Sequence, residues 1–192
     1  MSDQLCAISH LLSAIMRKMI EVRGPGVAAA LAEDPVTKAE YRSYLRAAKR
    51  GSPPPLAPGE RLSDPVTYVS QTDAITFCQW LSTQEGSTYR LPRMAELSEL
   101  AGDAAAEGIG LEVWPHFYEQ RPEMRGGLKP DYLCEWTQET ETVPQPGGRT
   151  RVLGSVFYPP WLRHGPNASH LQACLLASEG YSFVTFRVAS DL

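Results

Sequence analysis

The run "DAITFCQWLSTQEG" from Asp73, continued by "STYRLPRMAELSELA" to Ala101, constrains the fold more than any other part of the chain. Ala74, Phe77, Cys78 and Leu81 recur at three- and four-residue intervals. This predicts a helix from Thr72 or Asp73 to about Thr83, closed by Gly86 as a C-cap. Pro92 then fits near a second helix start, with Ala95, Leu97, Leu100 and Ala101 on an apolar face. Arg90, Glu96 and Glu99 read as pairing or capping groups that lock strand, loop and helix together, rather than as catalytic groups.

The flanking chain carries weaker signals. Residues 3–20 place Leu5, Ile8, Leu11, Leu12, Ile15 and Met19 at helical spacing, which predicts an amphipathic helix appended to the domain. A Gly-Pro-Gly break follows at 24–26. Thr37 with Glu40 three residues on is a capping-box signature for a helix bearing Tyr41, Tyr44 and Leu45, ended by Gly51. "GSPPPLAPGERLSD" reads as a proline-rich surface loop, and Val66, Tyr68 and Ser70 alternate as a short strand. Between 102 and 150 only "LCEWT" carries a weak strand signal. "RTRVLGSVFYPPWLRH" and "GYSFVTFRVAS" are two β-like runs separated by an irregular segment. With 15 glycines, 16 prolines and no internal repeat, the pattern is α+β and loop-rich.

Composition narrows the function classes. The chain has 192 residues and fits one domain, 1–192, that can bury a sizeable core. A formal net charge of −4 advertises no basic face for nucleic acid. No apolar run nears the roughly 20 residues needed to span a bilayer. The N-terminus lacks the order of charges of a secretory signal, so a cytoplasmic location is expected. Cys6, Cys78, Cys134 and Cys174 form no CxxC pair and are expected to be buried free thiols.

The ordered pieces "PVTYVSQTDAITFCQWLSTQEGSTYRLPRMAELSELA", "PVTKAEYRSYL", "CEWT", "RVLGSVF" and "TFRVA" resemble the formylglycine-generating enzyme (sulfatase-modifying factor) family, over most of residues 19–189. The resemblance implies a C-type-lectin-like fold: a small twisted antiparallel sheet, two flanking helices and long loops. Members of that fold include oxidases of a sulfatase cysteine that hold copper on two cysteines, and sulfoxide synthases that use iron and a histidine-rich helical domain. They also include variable proteins of diversity-generating retroelements, which use the fold for binding alone.

Carried onto this chain, the two copper cysteines fall on Tyr158 and Arg163, and neither supplies the thiolate that copper(I) selects. His164 and His170 stand six apart in an irregular segment, with His10 and His116 far off, so no histidine metal site is expected. The family's Asn before the Glu-Trp-Thr element is replaced here by the run Tyr132-Leu133-Cys134. That puts its structural calcium in doubt, because calcium needs six or more oxygen ligands; no other cofactor is implied. No nucleophile elbow or phosphate loop is present. Arg121, Arg125 and Lys129 read as a solvated loop.

The expected function is therefore binding without catalysis, with the segment from about 157 to 185 as recognition surface. Phe157, Tyr158, Trp161, Arg163, His164, His170, Tyr181 and Phe183 are its candidate ligand contacts, since rigid aromatics bury area at low entropy cost. A protein ligand is expected, and neither nucleic acid nor a membrane. Diversification of this segment by a retroelement fits its position between the family's Gly-Ser-Trp and Gly-Phe-Arg elements. Two departures mark its ends: one glycine is missing before Gly154, and Thr185 stands where the family has Gly. The alternative is a formylglycine-generating type oxidase, acting on a cysteine of a protein substrate, with altered metal ligands.

Overall fold

The computed structural model describes residues 17–51, 55–107, 133–157 and 172–192. The predicted helix over 3–20 lies outside these residues up to position 16, but its end is corrected. Met19–Gly24 is a strand, β1, paired antiparallel with β2, Val27–Ala32. Pro25 and Gly26 join them, Gly26 taking φ +76°, as the second central residue of a type II turn must. The alanines of β2 suit this place. Ala29 and Leu31 lie flat against Leu97, Leu100 and Ala101 of a helix, and small side chains let the two backbones approach.

Helix α1, Lys38–Ala47, starts as its sequence predicts. Thr37 accepts from Glu40 N, and the Glu40 carboxylate accepts from Thr37 N at 2.6 Å, a reciprocal box. It ends before Gly51, with Lys49 turning into the left-handed region at φ +51°. Helix α2, Gln71–Glu85, is capped by the Ser70 hydroxyl and stopped by Gly86 at φ +69°. Its buried face is Ala74, Phe77, Cys78 and Leu81, as the spacing predicts. Helix α3 runs Met94–Glu107. Leu97, Leu100 and Ala101 are buried, while Ala95 turns outward and Met94 packs in its stead.

The expected strand at Val66–Ser70 does not form. Tyr68 sits in the left-handed region at φ +58°, 71% exposed, and breaks the alternation. The second sheet has the order β5-β4-β3-β6 and contains β3, Cys134–Pro144, and β4, Thr150–Phe157. Its outer members are β5, Gln172–Leu176, and β6, Val184–Thr185. β5 is a strand that the sequence pattern left as irregular chain. β7, Ala189–Asp191, closes the first sheet against β2, giving the order β1-β2-β7.

Two cores result. One sandwiches α1 and α2 against β3 and β6. Its rings meet edge to face, Tyr44–Phe77 at 5.3 Å and Phe77–Phe186 at 5.4 Å between centroids. Truncating a fully buried ring such as Phe77 to Ala costs about 3–5 kcal/mol. The other core lies between the first sheet, α3 and the end of β4. No helix among the described residues is long and apolar enough to cross a membrane. The mixed helix and sheet architecture is the expected α+β class.

Candidate recognition surface

The segment expected to bind leaves the sheet at the end of β4 and returns as β5. Of the eight residues singled out in it, Tyr158, Trp161, Arg163, His164 and His170 lie outside the described residues. Phe157 is placed in the second core at 0% exposure, packed with Leu97, Leu100 and Ala189. That corrects its reading as a ligand contact. The end of β4 is buried on both faces, Val156 entering the first core and Phe157 the second, so Phe157 anchors the segment rather than lining its surface.

Tyr181 and Phe183 do share a site. Both are half-buried, their rings 5.7 Å apart, and Tyr181 also lies 6.1 Å from Trp136. The Tyr181 hydroxyl accepts from Leu176 N at 3.1 Å, tying the return of the segment to the end of β5. Trp136 is fully buried and donates to the Val69 carbonyl at 2.8 Å, so the floor beneath Tyr181 is rigid.

Tyr68 joins this group, and nothing in its sequence context beyond an aromatic in a short alternating run points to it. Its N–H donates to the Tyr181 carbonyl at 2.9 Å. A side chain on Gly180 would overlap the Tyr68 carbonyl, so the two loops meet backbone to backbone. The left-handed conformation costs an L-residue about 1–2 kcal/mol, and here it aims a large aromatic into solvent.

Among the described residues, two arginines and their carboxylate partners are committed to the scaffold. Arg187 and Glu135, 0% and 1% exposed, form a two-pronged pair with both contacts at 2.6 Å. The remaining Arg187 nitrogen donates to the Ala32 and Glu33 carbonyls, stapling the two sheets. Glu135, which the family resemblance connects with a calcium loop, thus has both carboxylate oxygens on a guanidinium.

Arg90 makes a second fork. It donates to both oxygens of Glu96, at 2.7 and 2.8 Å, and to Asp191 at 2.6 Å, while its backbone pairs with Ala189. Its hydrogen bonds to the Glu96 and Asp191 carboxylates raise the Arg90 pKa against the opposing effect of burial. The same bond and the Arg90 charge hold the Asp191 carboxyl below its ordinary range. Glu96 also accepts from Arg93 N, and Glu139 accepts from Met94 N, so two carboxylates satisfy the first donors of α3. The predicted locking role of Arg90 and Glu96 is what the structure shows. Glu99 instead packs its carboxylate where Gly24 has no side chain.

Three of the four thiols lie among the described residues, and all three are free. Cys78 and Cys134 are buried in the first core, and burial pushes the Cys78 thiol up to about 12. Cys174 is exposed on β5, against the expectation of burial. Among the described residues, no three His, Cys, Asp or Glu side chains converge as metal ligands.

Comparison with known proteins bears on the scaffold. The chain resembles the crystal structure of CarF with a TM-score of 0.56 at 15% identity, over 92% of this chain and 97% of that one. PvdO from Pseudomonas aeruginosa gives 0.54 at 15% identity, over 92% and 91%. Treponema denticola variable protein 1 gives 0.49 at 12%, over 93% and 94%. No match to a curated protein was found. The family model of the sulfatase-modifying factor enzyme 1-like domain matches residues 28–127. That span takes in α1, α2, α3 and the Arg90–Glu96 lock and exceeds half of the sequence, so the chain belongs to the sulfatase-modifying factor enzyme 1-like family.

Proposed function

We propose that the protein is a non-catalytic recognition protein on this scaffold, presenting the segment from about 157 to 185 to a protein ligand. The observation that carries the reading is the aromatic group at the segment's return. Tyr181 stands against the buried Trp136 and Phe183 against Tyr181, with exposed Tyr68 bonded to the Tyr181 backbone. Tyr158, Trp161, Arg163, His164 and His170 extend the same segment in sequence. Aromatics held on a rigid floor lose little entropy on binding, which is what a recognition surface needs. Among the described residues, the buried carboxylates Glu135 and Glu96 are engaged by Arg187 and Arg90.

The test compares capture of a partner by the full chain with capture by a Tyr158→Ala, Trp161→Ala, His164→Ala variant of unchanged melting temperature. The expected result is a protein retained by the first and lost by the second. Equal retention by both removes the segment from the reading. Diversification by a retroelement requires a nearby reverse transcriptase gene and an imperfect repeat of the DNA encoding roughly residues 150–190.

A second reading, oxidation of a substrate cysteine, is favoured by the family match and by the exposed thiol of Cys174. It requires stoichiometric copper(I) binding and oxygen uptake with a thiol peptide, both lost on Cys174→Ser. That outcome would replace the binding proposal.

A further inference from the structure

A groove lies beside Leu176, Ala177 and Ser178, where β4 runs on after β5 has ended. β4 pairs with β5 only from Phe157 back to Leu153, which faces Leu176. Its pairing with β3 continues to Thr150, opposite Pro144. Past Leu176 the chain turns away, its last strand-like bond running from Ala177 N to the Val152 carbonyl at 3.1 Å. Backbone groups alternate sides along a strand, so the N–H and C=O of Thr150 point to the same edge as the Val152 carbonyl. Pro144 opposite has no N–H to offer, in keeping with that direction. No strand among the described residues occupies this edge.

A cavity of about 670 Å³ opens there, lined by Thr72, Arg149, Thr150, Arg151, Val152 and Ser178 among others. Its lining holds two arginines and no carboxylate, in a chain of net charge −4. Both arginines are exposed, and neither makes an ion pair among the described residues. Other polar groups are already engaged: the Thr72 hydroxyl donates to the Ala177 carbonyl, and the Gln145 amide to Pro144. Val152, 47% exposed, adds an apolar contact.

We propose that this groove binds an acidic peptide in extended conformation, added as a short strand on the β4 edge. Arg149 and Arg151 flank Thr150, and side chains two apart on an extended chain stand about 6.6 Å apart. A peptide strand has the same period, so carboxylates at alternate positions meet the two guanidiniums while its backbone pairs with Thr150. The arginines select charge, and the strand edge selects an extended chain over a free anion. The site is separate from the surface of Tyr181 and Phe183 and stands independently of it.

Fluorescence anisotropy tests the assignment with a labelled peptide of alternating Glu and Val and its Lys and Val counterpart, on the full chain. The acidic peptide is expected to bind saturably and the basic one not at all. Affinity falls at least tenfold in Arg149→Glu with Arg151→Glu, and at least threefold in Thr150→Pro, which removes the edge N–H and leaves both guanidiniums in place. Circular dichroism and melting temperature check that each variant folds. Equal binding by the charge-reversed variant overturns the site. So does binding that Thr150→Pro leaves intact and that inorganic phosphate displaces at millimolar concentration, the behaviour of a plain anion patch.

Discussion

The side-chain amide of Gln71 occupies the volume that a side chain on residue 154 would need, and Gly154 leaves it free. From the first turn of α2, Gln71 donates to the Thr137 carbonyl at 2.7 Å and the Glu139 carbonyl at 3.0 Å. These acceptors lie within the register shift of β3 between Trp136 and Thr140, where the ladder to β4 fails. One buried amide thus satisfies the backbone that the bulge leaves unpaired. Gly154→Ala is expected to push the amide aside and cost about 2–4 kcal/mol, from two buried acceptors left bare. Gln71→Ala should cost a similar amount, and the double variant less than the sum of the two. Urea unfolding of the three variants measures this, and simple additivity would contradict the shared mechanism.

Glu135→Gln should be the most damaging single conservative change. It removes the carboxylate charge and one of the two acceptors that face the buried Arg187 guanidinium, whose third nitrogen holds the Ala32 and Glu33 carbonyls. Breaking one side of such a pair costs about 3–5 kcal/mol, whereas replacing both sides with apolar residues of similar volume is often near neutral. Glu135→Leu with Arg187→Met should therefore recover most of what Glu135→Gln loses. Chemical denaturation reads both, and a double variant no better than the single one would count against the pair as the cause.

Acid should expose the Arg90–Asp191 contact. Asp191 has a folded-state pKa below its unfolded value, because Arg90 bonds its carboxylate and then attracts its charge. A depressed acid stabilises the fold above the unfolded pKa of about 3.9 and loses that contribution as pH falls through the folded pKa. The stability gap between wild type and Asp191→Asn should thus be constant above about pH 5 and close below pH 4. A gap that persists at pH 2 would mean the carboxylate acts through packing instead. Asp191 is largely exposed, so the gap is small and shrinks with added salt.

Thiol reactivity should sort by burial. Cys174 is exposed, whereas burial raises the Cys78 thiol to about 12 and encloses Cys134 in the same core. The thiolate is the reacting species, so native-state alkylation at pH 8 followed by peptide mapping should label Cys174 rapidly. Cys78 and Cys134 should label only when denaturant unfolds the chain. Labelling of Cys78 at the rate of Cys174 would show that the first core opens locally.

What the sequence made legible was local. Thr37 with Glu40, and Gly86 after the stripe of Phe77 and Leu81, announce α1 and α2 because caps and periodicity involve residues three or four apart. The β1–β2 hairpin escaped because Met19 continued a helical spacing and an alanine-rich strand has no strand propensity of its own. Its conformation is imposed by Leu97 and Leu100 from across the core. Phe157 looked like a surface aromatic because the direction of a strand side chain depends on register, which no local pattern around it fixed. Arg187 and Glu135 lie 52 residues apart, so neither could be read as half of a pair.

Tyr68 is the sharpest case of a feature that only the assembled loops create, and it can be tested against its neighbour. The Gly180 backbone lies so close to the Tyr68 carbonyl that an added methyl would overlap it. That carbonyl is main chain and cannot swing away as a flexible side chain would. Gly180→Ala should therefore separate the loops, break the bond from Tyr68 N to the Tyr181 carbonyl, and cost about 1–3 kcal/mol. Because Tyr181 carries the ring shared with Phe183 and Trp136, partner capture should weaken along with stability. Tyr68→Asn separates the two effects. Asn tolerates the left-handed region, so stability should hold or rise by about 0.5 kcal/mol while the exposed ring is lost. Thermal unfolding and partner capture, read together, decide the matter. Capture that survives Tyr68→Asn but fails in Gly180→Ala assigns recognition to Tyr181 and Phe183, and leaves Tyr68 as the strained brace that positions them.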